Sequence, residues 1–386
     1  MKLLKVEFNG LPLLNGKGEI DFVASQRVTG DNAEKATLLF AQNNLKIYLN
    51  NVLSLIGINA SGKTTILKTL AFVFGVLNNQ PLNNSEYIEI FDGLISGKDV
   101  IFDTCFYDSG CIYFLNTVIE KKDRLVIKEE TLKEKPIGKI KKKADLYSLE
   151  GIRTIMQRNN EEAFLLDDVS IMVAFNKKRK TNFAFVDMLR YTNVNKLTLA
   201  EDCPAELIGF FDPNIEYINV ENNSGGIGGR LKFFGKDEIK LEHIADVDRY
   251  LSSGTIKGIN TFLSAMKIFS SGGYLIIDEL ENHFNHEIVS TLVRLFMDKK
   301  VNKAGASLVF STHYAEILNE FDRNDCIYIV RNKGGITVDN LSTLLKRNDI
   351  KKSEAYESGF LSGTTPSYDS YINLKRHLVS LKKAGR

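Results

Sequence analysis

The stretch that most constrains this chain is Gly57-Ile58-Asn59-Ala60-Ser61-Gly62-Lys63-Thr64-Thr65, which contains the pattern G-x-x-x-x-G-K-[ST]. Ahead of it, Val52-Leu53-Ser54-Leu55-Ile56 is short, apolar and rich in β-formers, and reads as a buried strand. Behind it, Ile66-Leu67-Lys68-Thr69-Leu70-Ala71-Phe72-Val73-Phe74 repeats apolar residues at helical spacing. Strand, glycine-rich turn and helix are the context in which the pattern carries a mechanism. Glycines let the backbone close around a phosphate without Cβ clashes, so successive N–H groups and the helix N-terminus face the anion. Gly57, Asn59, Ala60, Ser61, Gly62 and Thr65 are the expected cradle. Lys63 would reach the β- and γ-phosphates, and the Thr64 hydroxyl would ligate Mg²⁺. A nucleoside triphosphate is the expected ligand.

Composition sets the limits around that motif. The 386 residues suffice for one large domain or two ordinary ones. A hydrophobic content of 44% and a charged content of 25% are those of a soluble globular protein. With a formal net charge of +2, any basic surface must be local. Cys105, Cys111, Cys203 and Cys326 show no C-x-x-C spacing, so neither a disulfide framework nor a zinc site is expected. The start, Met1-Lys2-Leu3-Leu4-Lys5-Val6-Glu7, lacks the apolar core of a signal peptide. No run approaches the ~20 apolar residues of a membrane span. A cytoplasmic location without membrane contact is the expectation.

Taken in order, residues 2–8 and 19–23 alternate as strands, with turn signals at Asn9-Gly10-Leu11-Pro12 and Asn15-Gly16-Lys17-Gly18 between them. An antiparallel β subdomain thus precedes the glycine-rich motif. Further strands are expected over 100–107 and 111–120, joined as a hairpin at Asp108-Ser109-Gly110, and over 124–131. Residues 181–199 and 204–211 read as helical, and 214–220 and 230–234 as strands flanking a flexible turn, Ser224-Gly225-Gly226-Ile227-Gly228-Gly229. No internal repeat or long heptad segment stands out. Two basic clusters do: Lys133, Lys135, Lys139, Lys141, Lys142 and Lys143 within 133–143, and Lys177, Lys178, Arg179 and Lys180. They offer a surface for phosphates or an acidic partner. The alternative is a solvated lysine loop, since no aromatic residues are interleaved for base stacking.

From residue 236 the pattern sharpens. Leu251-Ser252-Ser253-Gly254-Thr255 precedes a helical stripe of Ile256, Ile259, Leu263, Met266 and Phe269. Tyr274-Leu275-Ile276-Ile277-Asp278-Glu279 is an apolar strand ending in two acids, and Ser307-Leu308-Val309-Phe310-Ser311-Thr312-His313 is another ending in a polar pair. Asp278 would orient the Mg²⁺ shell, Glu279 would polarise the attacking water, and His313 would bond to the γ-phosphate and sense it.

This order of motifs resembles the ATP-binding-cassette class of ATPases. Leu251-Ser252-Ser253-Gly254-Thr255 is similar to that class's Leu-Ser-Gly-Gly-Gln signature at Leu, Ser and the second Gly. Together with Asp278-Glu279-Leu280-Glu281-Asn282 and Ser311-Thr312-His313, it resembles the RecF/SMC-related AAA-type ATPases of bacterial defence. Those include RloA/AbiLi-like, Septu PtuA-like, PARIS AriA-like and OLD-like proteins. The resemblance covers the motif regions of 1–120 and 236–335 and implies an α/β head of SMC/RecF type that binds ATP and Mg²⁺.

It also implies that Ser252, Ser253 and Gly254 of one protomer close on the ATP held by Lys63 of another, in a head-to-tail homodimer or a higher homo-oligomer. Asn282, His283 and Asn285 stand where contacts to the partner protomer are expected. No glutamine is assignable to the Mg²⁺ shell, because Gln80 and Gln157 lack a strand-end context. After His313, 73 residues remain, with no acidic metal triad of an OLD-type nuclease domain, and the five histidines are scattered.

The expected molecule is therefore an ATPase without nuclease activity of its own. It would regulate a separate effector, a nuclease or toxin, in anti-phage defence. The alternatives are a DNA-repair clamp that uses the two basic clusters and, less favoured, a transporter subunit. The expected layout is 1–119 and 236–386 as the two parts of the head, with 120–235 as a mixed α and β insertion serving as a lid or partner surface.

Overall fold

The computed structural model describes the chain except for residues 43, 159–164, 182, 192–195, 200–201, 224–225, 283, 348, 362, 364–367 and 385–386. It opens with β1 (Lys2–Asn9) and β2 (Gly18–Asp21), then β3 (Ala36–Gln42) and β4 (Leu45–Asn50). β5 (Val52–Ile56) and α1 (Lys63–Leu77) flank the glycine-rich loop. Next come β6 (Asp99–Asp108), β7 (Cys111–Lys121), β8 (Leu125–Pro136) and β9 (Arg153–Gln157). α2 (Met172–Arg179), β10 (Phe185–Asp187) and α3 (Ala205–Phe211) lead to β11 (Ile215–Asn223), β12 (Gly226–Phe233) and β13 (Ile239–Leu241). α4 (Ser253–Ser271), β14 (Tyr274–Ile277), α5 (His286–Met297), β15 (Ser307–Thr312), β16 (Ile327–Asn332) and β17 (Ile336–Asn340) follow. α6 (Leu341–Leu344), α7 (Lys352–Glu357) and α8 (Tyr368–Ala384) end the chain.

Two six-stranded sheets dominate. The first is antiparallel, in the order β2-β1-β6-β7-β8-β9, and the second runs β10-β14-β15-β5-β16-β17. In the second, every neighbouring pair is parallel except β16 with β17. Parallel strands need cover on both faces, and the sequence supplies it by alternation. Leu53, Leu55, Tyr274, Ile276, Val309, Tyr328 and Val330 enter one buried cluster with α1 and the antiparallel sheet. Val52, Ile56, Leu275, Ile277, Leu308, Phe310, Ile327 and Ile329 enter the other, with α4 and α5. α1 is apolar nearly all round because it is covered on both sides. Its Phe72 packs on Phe102 of β6, with ring centroids 5.6 Å apart, while Phe74 packs on Tyr274 of β14 at 5.1 Å.

The strand order is what builds a site. β15 lies between β5 and β14, in register from Thr312↔Ile56 to Ile277↔Phe310. The residues just beyond these three strands, Gly57, Asp278 and His313, therefore emerge side by side at the carboxyl ends, where open α/β sheets bind ligands.

The middle of the chain departs from the expected layout. β8 and β9 continue the antiparallel sheet without a break, so a boundary at residue 120 runs through paired strands. Among the described residues of 181–199 the expected helix is not formed: β10 sits there, as a parallel edge strand on β14. Three residues are too few to display a period of two. Gly226, Gly228 and Gly229 of the expected turn belong to β12, where Gly229 lets Ile244 and the Asn219 carbonyl approach closely. Ser224 and Gly225 lie outside the described residues. The stripe on α4 is rotated: Ile256, Ile259, Phe262, Ala265 and Ile268 face inward, and Met266 is 46% exposed. All four cysteines are free, and among the described residues no helix is long and apolar enough to cross a membrane.

Candidate active site

The loop between β5 and α1 holds its shape through residues that tolerate it. Gly62, the N-cap of α1, has φ 100°, and a Cβ there would overlap the side chain of Ile336. At Gly57 a Cβ would overlap Ser61 Oγ and the Val330 carbonyl, and a backbone oxygen within a sheet cannot move aside cheaply. Gly57→Ala is therefore expected to lower nucleotide affinity at least about tenfold and stability by about 1–3 kcal/mol. Nucleotide titration and thermal unfolding would check this. Ser61 Oγ lines the cleft, buried and without a hydrogen-bond partner among the described residues, which marks it as a group open to a ligand.

Lys63 folds over this loop. It is only 6% exposed, and its Nζ donates to the carbonyls of Gly57 at 2.9 Å and Ile58 at 3.3 Å. Burial pulls its ammonium below the usual lysine range, while Asp278, Glu281 and Glu279 act the other way. His313 Nδ1 lies 3.3 Å from the same Nζ. An ammonium only donates, so Nδ1 accepts, and the ring proton sits on Nε2, which faces Glu279 Oε1 at 3.7 Å.

The acidic pair is fixed from β15. Thr64 Oγ1 donates to Asp278 Oδ2 at 2.7 Å, and Ser311 Oγ donates to Asp278 Oδ1. The same Ser311 Oγ accepts from the Glu279 N–H at 2.8 Å, and the Ser311 carbonyl accepts from the Leu280 N–H at 3.0 Å. Glu279 has φ 47°, a left-handed backbone that is costly for any residue but glycine. The turn is held open by these bonds, and it points the Glu279 carboxylate into the cleft. Hard oxygen donors on Thr64 and Asp278, in contact with one another, suit Mg²⁺.

The cleft around these groups has a volume of about 750 Å³. Its lining includes Asn59 to Thr65, Glu279 and His313, and, unforeseen from the sequence, Pro12, Leu13, Asn332, Gly334, Gly335 and Ile336. The turn after β1 is stitched to β17: Ile336 N–H donates to the Leu13 carbonyl at 2.8 Å, and Asn15 N–H to the Ile336 carbonyl at 2.9 Å. Gly335 is required there, because a Cβ would meet Asn15. The turn signals at 9–12 and 15–18 were legible in the sequence; their meeting with a segment more than 300 positions away was not.

Ser252, Ser253 and Gly254 are not among the described residues that line this cleft. They form the N-terminus of α4, where Ser252 Oγ caps the helix by accepting from Thr255 N–H at 3.0 Å. Asn285 caps α5 by accepting from Ile288 N–H at 2.9 Å, and His283 lies outside the described residues. Much of the first lysine cluster is engaged at home. Lys135 donates to the carbonyls of Asp145 and Ser148, Lys139 to that of Gly151, and Lys143 to those of Ala24 and Ser25. In the second, Arg179 lies over the Tyr113 ring at 5.7 Å, while Lys177, Lys178 and Lys180 are exposed.

The family described as "AAA domain, putative AbiEii toxin, Type IV TA system" matches residues 52–150 and 127–319, more than half of the chain. The chain belongs to this family of P-loop AAA ATPases. The matched span runs from the first residue of β5 past His313, so the AAA domain contains the loop, Asp278, Glu279 and His313. Residues 12, 13, 332 and 334–336, which complete the cleft rim, fall outside it. No curated protein matches the chain.

Proposed function

We propose that this AAA ATPase binds Mg·ATP in the cleft, hydrolyses it, and couples that cycle to a separate effector protein. The observation that carries the reading is the convergence of Lys63, Thr64, Asp278, Glu279 and His313 on one cleft from the ends of three adjacent strands. Loop N–H groups and Lys63 hold the β- and γ-phosphates; Thr64 and Asp278 hold the metal. Mg²⁺, when bound, would neutralise negative charge on the phosphate group. Glu279 orients a water and takes its proton as oxygen attacks the γ-phosphorus and the bond to the bridging oxygen breaks, giving ADP and phosphate. His313 stands between Lys63 and Glu279 and so responds to what Lys63 binds. Pro12, Leu13 and the turn at 332–336 are the surfaces left for the nucleoside.

In this reading ATP is also an interfacial ligand. The cleft lacks a contribution from Ser252, Ser253 and Gly254, and a second copy would present them head to tail, so ATP stabilises the dimer by mass action. The toxin–antitoxin label of the matched family supports a role beside a second polypeptide, and we place the protein among anti-phage defence regulators whose effector is a nuclease or toxin. The test is size in solution of Glu279→Gln protein, with and without Mg·ATP. A nucleotide-dependent shift from monomer to dimer is expected, and a monomer under both conditions would end the shared-site mechanism. The DNA-clamp reading stands second: it retains exposed Lys141, Lys142, Lys177 and Lys178, but the carbonyl bonds of Lys135, Lys139 and Lys143 narrow its basic surface.

A further inference from the structure

We propose that Glu281 is a positioning residue for hydrolysis, holding the His313 backbone, and that Lys257 holds the neighbouring peptide of the same acidic turn from helix α4. The proposal rests on the reading of the cleft as an ATPase site. Glu281 is 8% exposed, and its Oε1 accepts from the His313 N–H. Its Oε2 is buried with no hydrogen-bond partner among the described residues, an expense that a purely structural carboxylate would avoid. Its charge acts on both Lys63 and Lys257.

Lys257, buried in the first turns of α4, donates to the Asn282 carbonyl at 2.9 Å and lies 5.6 Å over the Phe284 ring. Asn282 N–H in turn donates to the Glu279 carbonyl at 2.8 Å, and Phe284 N–H to the Glu281 carbonyl at 2.9 Å. The turn that carries Glu279 is thus tied to β15 through Ser311 and His313, and to α4 through Lys257. α4 is the helix that begins at Ser252, Ser253 and Gly254. A displacement of that helix end reaches the Glu279 backbone through two hydrogen bonds, so what the signature segment touches is transmitted to the water-positioning carboxylate of its own chain.

The test is steady-state ATPase kinetics of Glu281→Ala, Glu281→Gln, Lys257→Met and Lys257→Arg, with nucleotide affinity measured separately by a fluorescent ATP analogue. Misplacement of a catalytic group by about 1 Å costs on the order of 100-fold in rate. Glu281→Ala and Lys257→Met are expected to lose about 10- to 100-fold in kcat, with KM and analogue affinity within about threefold of wild type. Glu281→Gln, whose amide oxygen accepts the same bond, and Lys257→Arg, which still donates, should recover most of kcat.

A second readout does not need turnover. In protein labelled with ¹⁵N-histidine, the His313 amide, assigned by its loss in His313→Asn, should move upfield in Glu281→Ala and stay near its place in Glu281→Gln. Wild-type kcat in Glu281→Ala, equal losses in the Ala and Gln variants, or an unmoved His313 amide would each overturn the proposal. A wild-type protein that does not hydrolyse ATP sinks the underlying reading instead, and is told apart because the amide still moves.

Discussion

Lys63→Ala will abolish nucleotide binding at concentrations that saturate the wild type, a loss of at least about a hundredfold in affinity. The magnitude follows from stripping the partner from a buried charge, which costs roughly 2–5 kcal/mol. The effect is larger than for a surface lysine because Lys63 is enclosed by the loop that it serves, with its ammonium already desolvated and aimed among phosphate-facing groups. The variant also removes the donor to the Gly57 and Ile58 carbonyls, so loop geometry suffers along with charge. Arginine will not rescue it, since a planar fork does not fit where a compact ammonium meets two carbonyls and an imidazole nitrogen. Calorimetric titration with Mg·ATP decides the matter, and undiminished binding would remove the loop from nucleotide recognition.

Glu279→Gln is the second large effect, and it separates binding from chemistry. Glutamine keeps the size and the backbone bond to Ser311 but cannot take a proton, so kcat should fall by about 10²–10⁴ while ATP affinity stays within about threefold. Phosphate release measured beside nucleotide affinity checks both halves. Normal turnover would take Glu279 out of the mechanism and leave Asp278 and Glu281 as the other carboxylates beside it.

What was legible in the sequence was whatever chain chemistry writes locally. The loop glycines, the apolar runs of β5, β14 and β15 and the polar pairs after them each carry a pattern within a few residues, and the structure brings them together. The N-terminal antiparallel strands were legible for the same reason. Pairing across long distances was not. Ser311 reads as one polar residue in an apolar strand, yet it orders both Asp278 and Glu279, and only the adjacency of β15 and β14 reveals this. Lysines of 133–143 look alike as letters; the partners of Lys135, Lys139 and Lys143 are backbone carbonyls, which every residue has and no sequence pattern announces. Lys257 was hidden in a largely apolar helix, where two lysines ten residues apart offer no periodic signal.

The left-handed backbone at Glu279 sets two kinds of selection against each other at a single position. A chain drifting only toward greater thermal robustness would replace that glutamate with glycine, relaxing the turn and erasing the carboxylate in one step. On the proposed mechanism the same substitution would stop turnover, so a gain in thermal stability and a loss of hydrolysis would arrive together in Glu279→Gly.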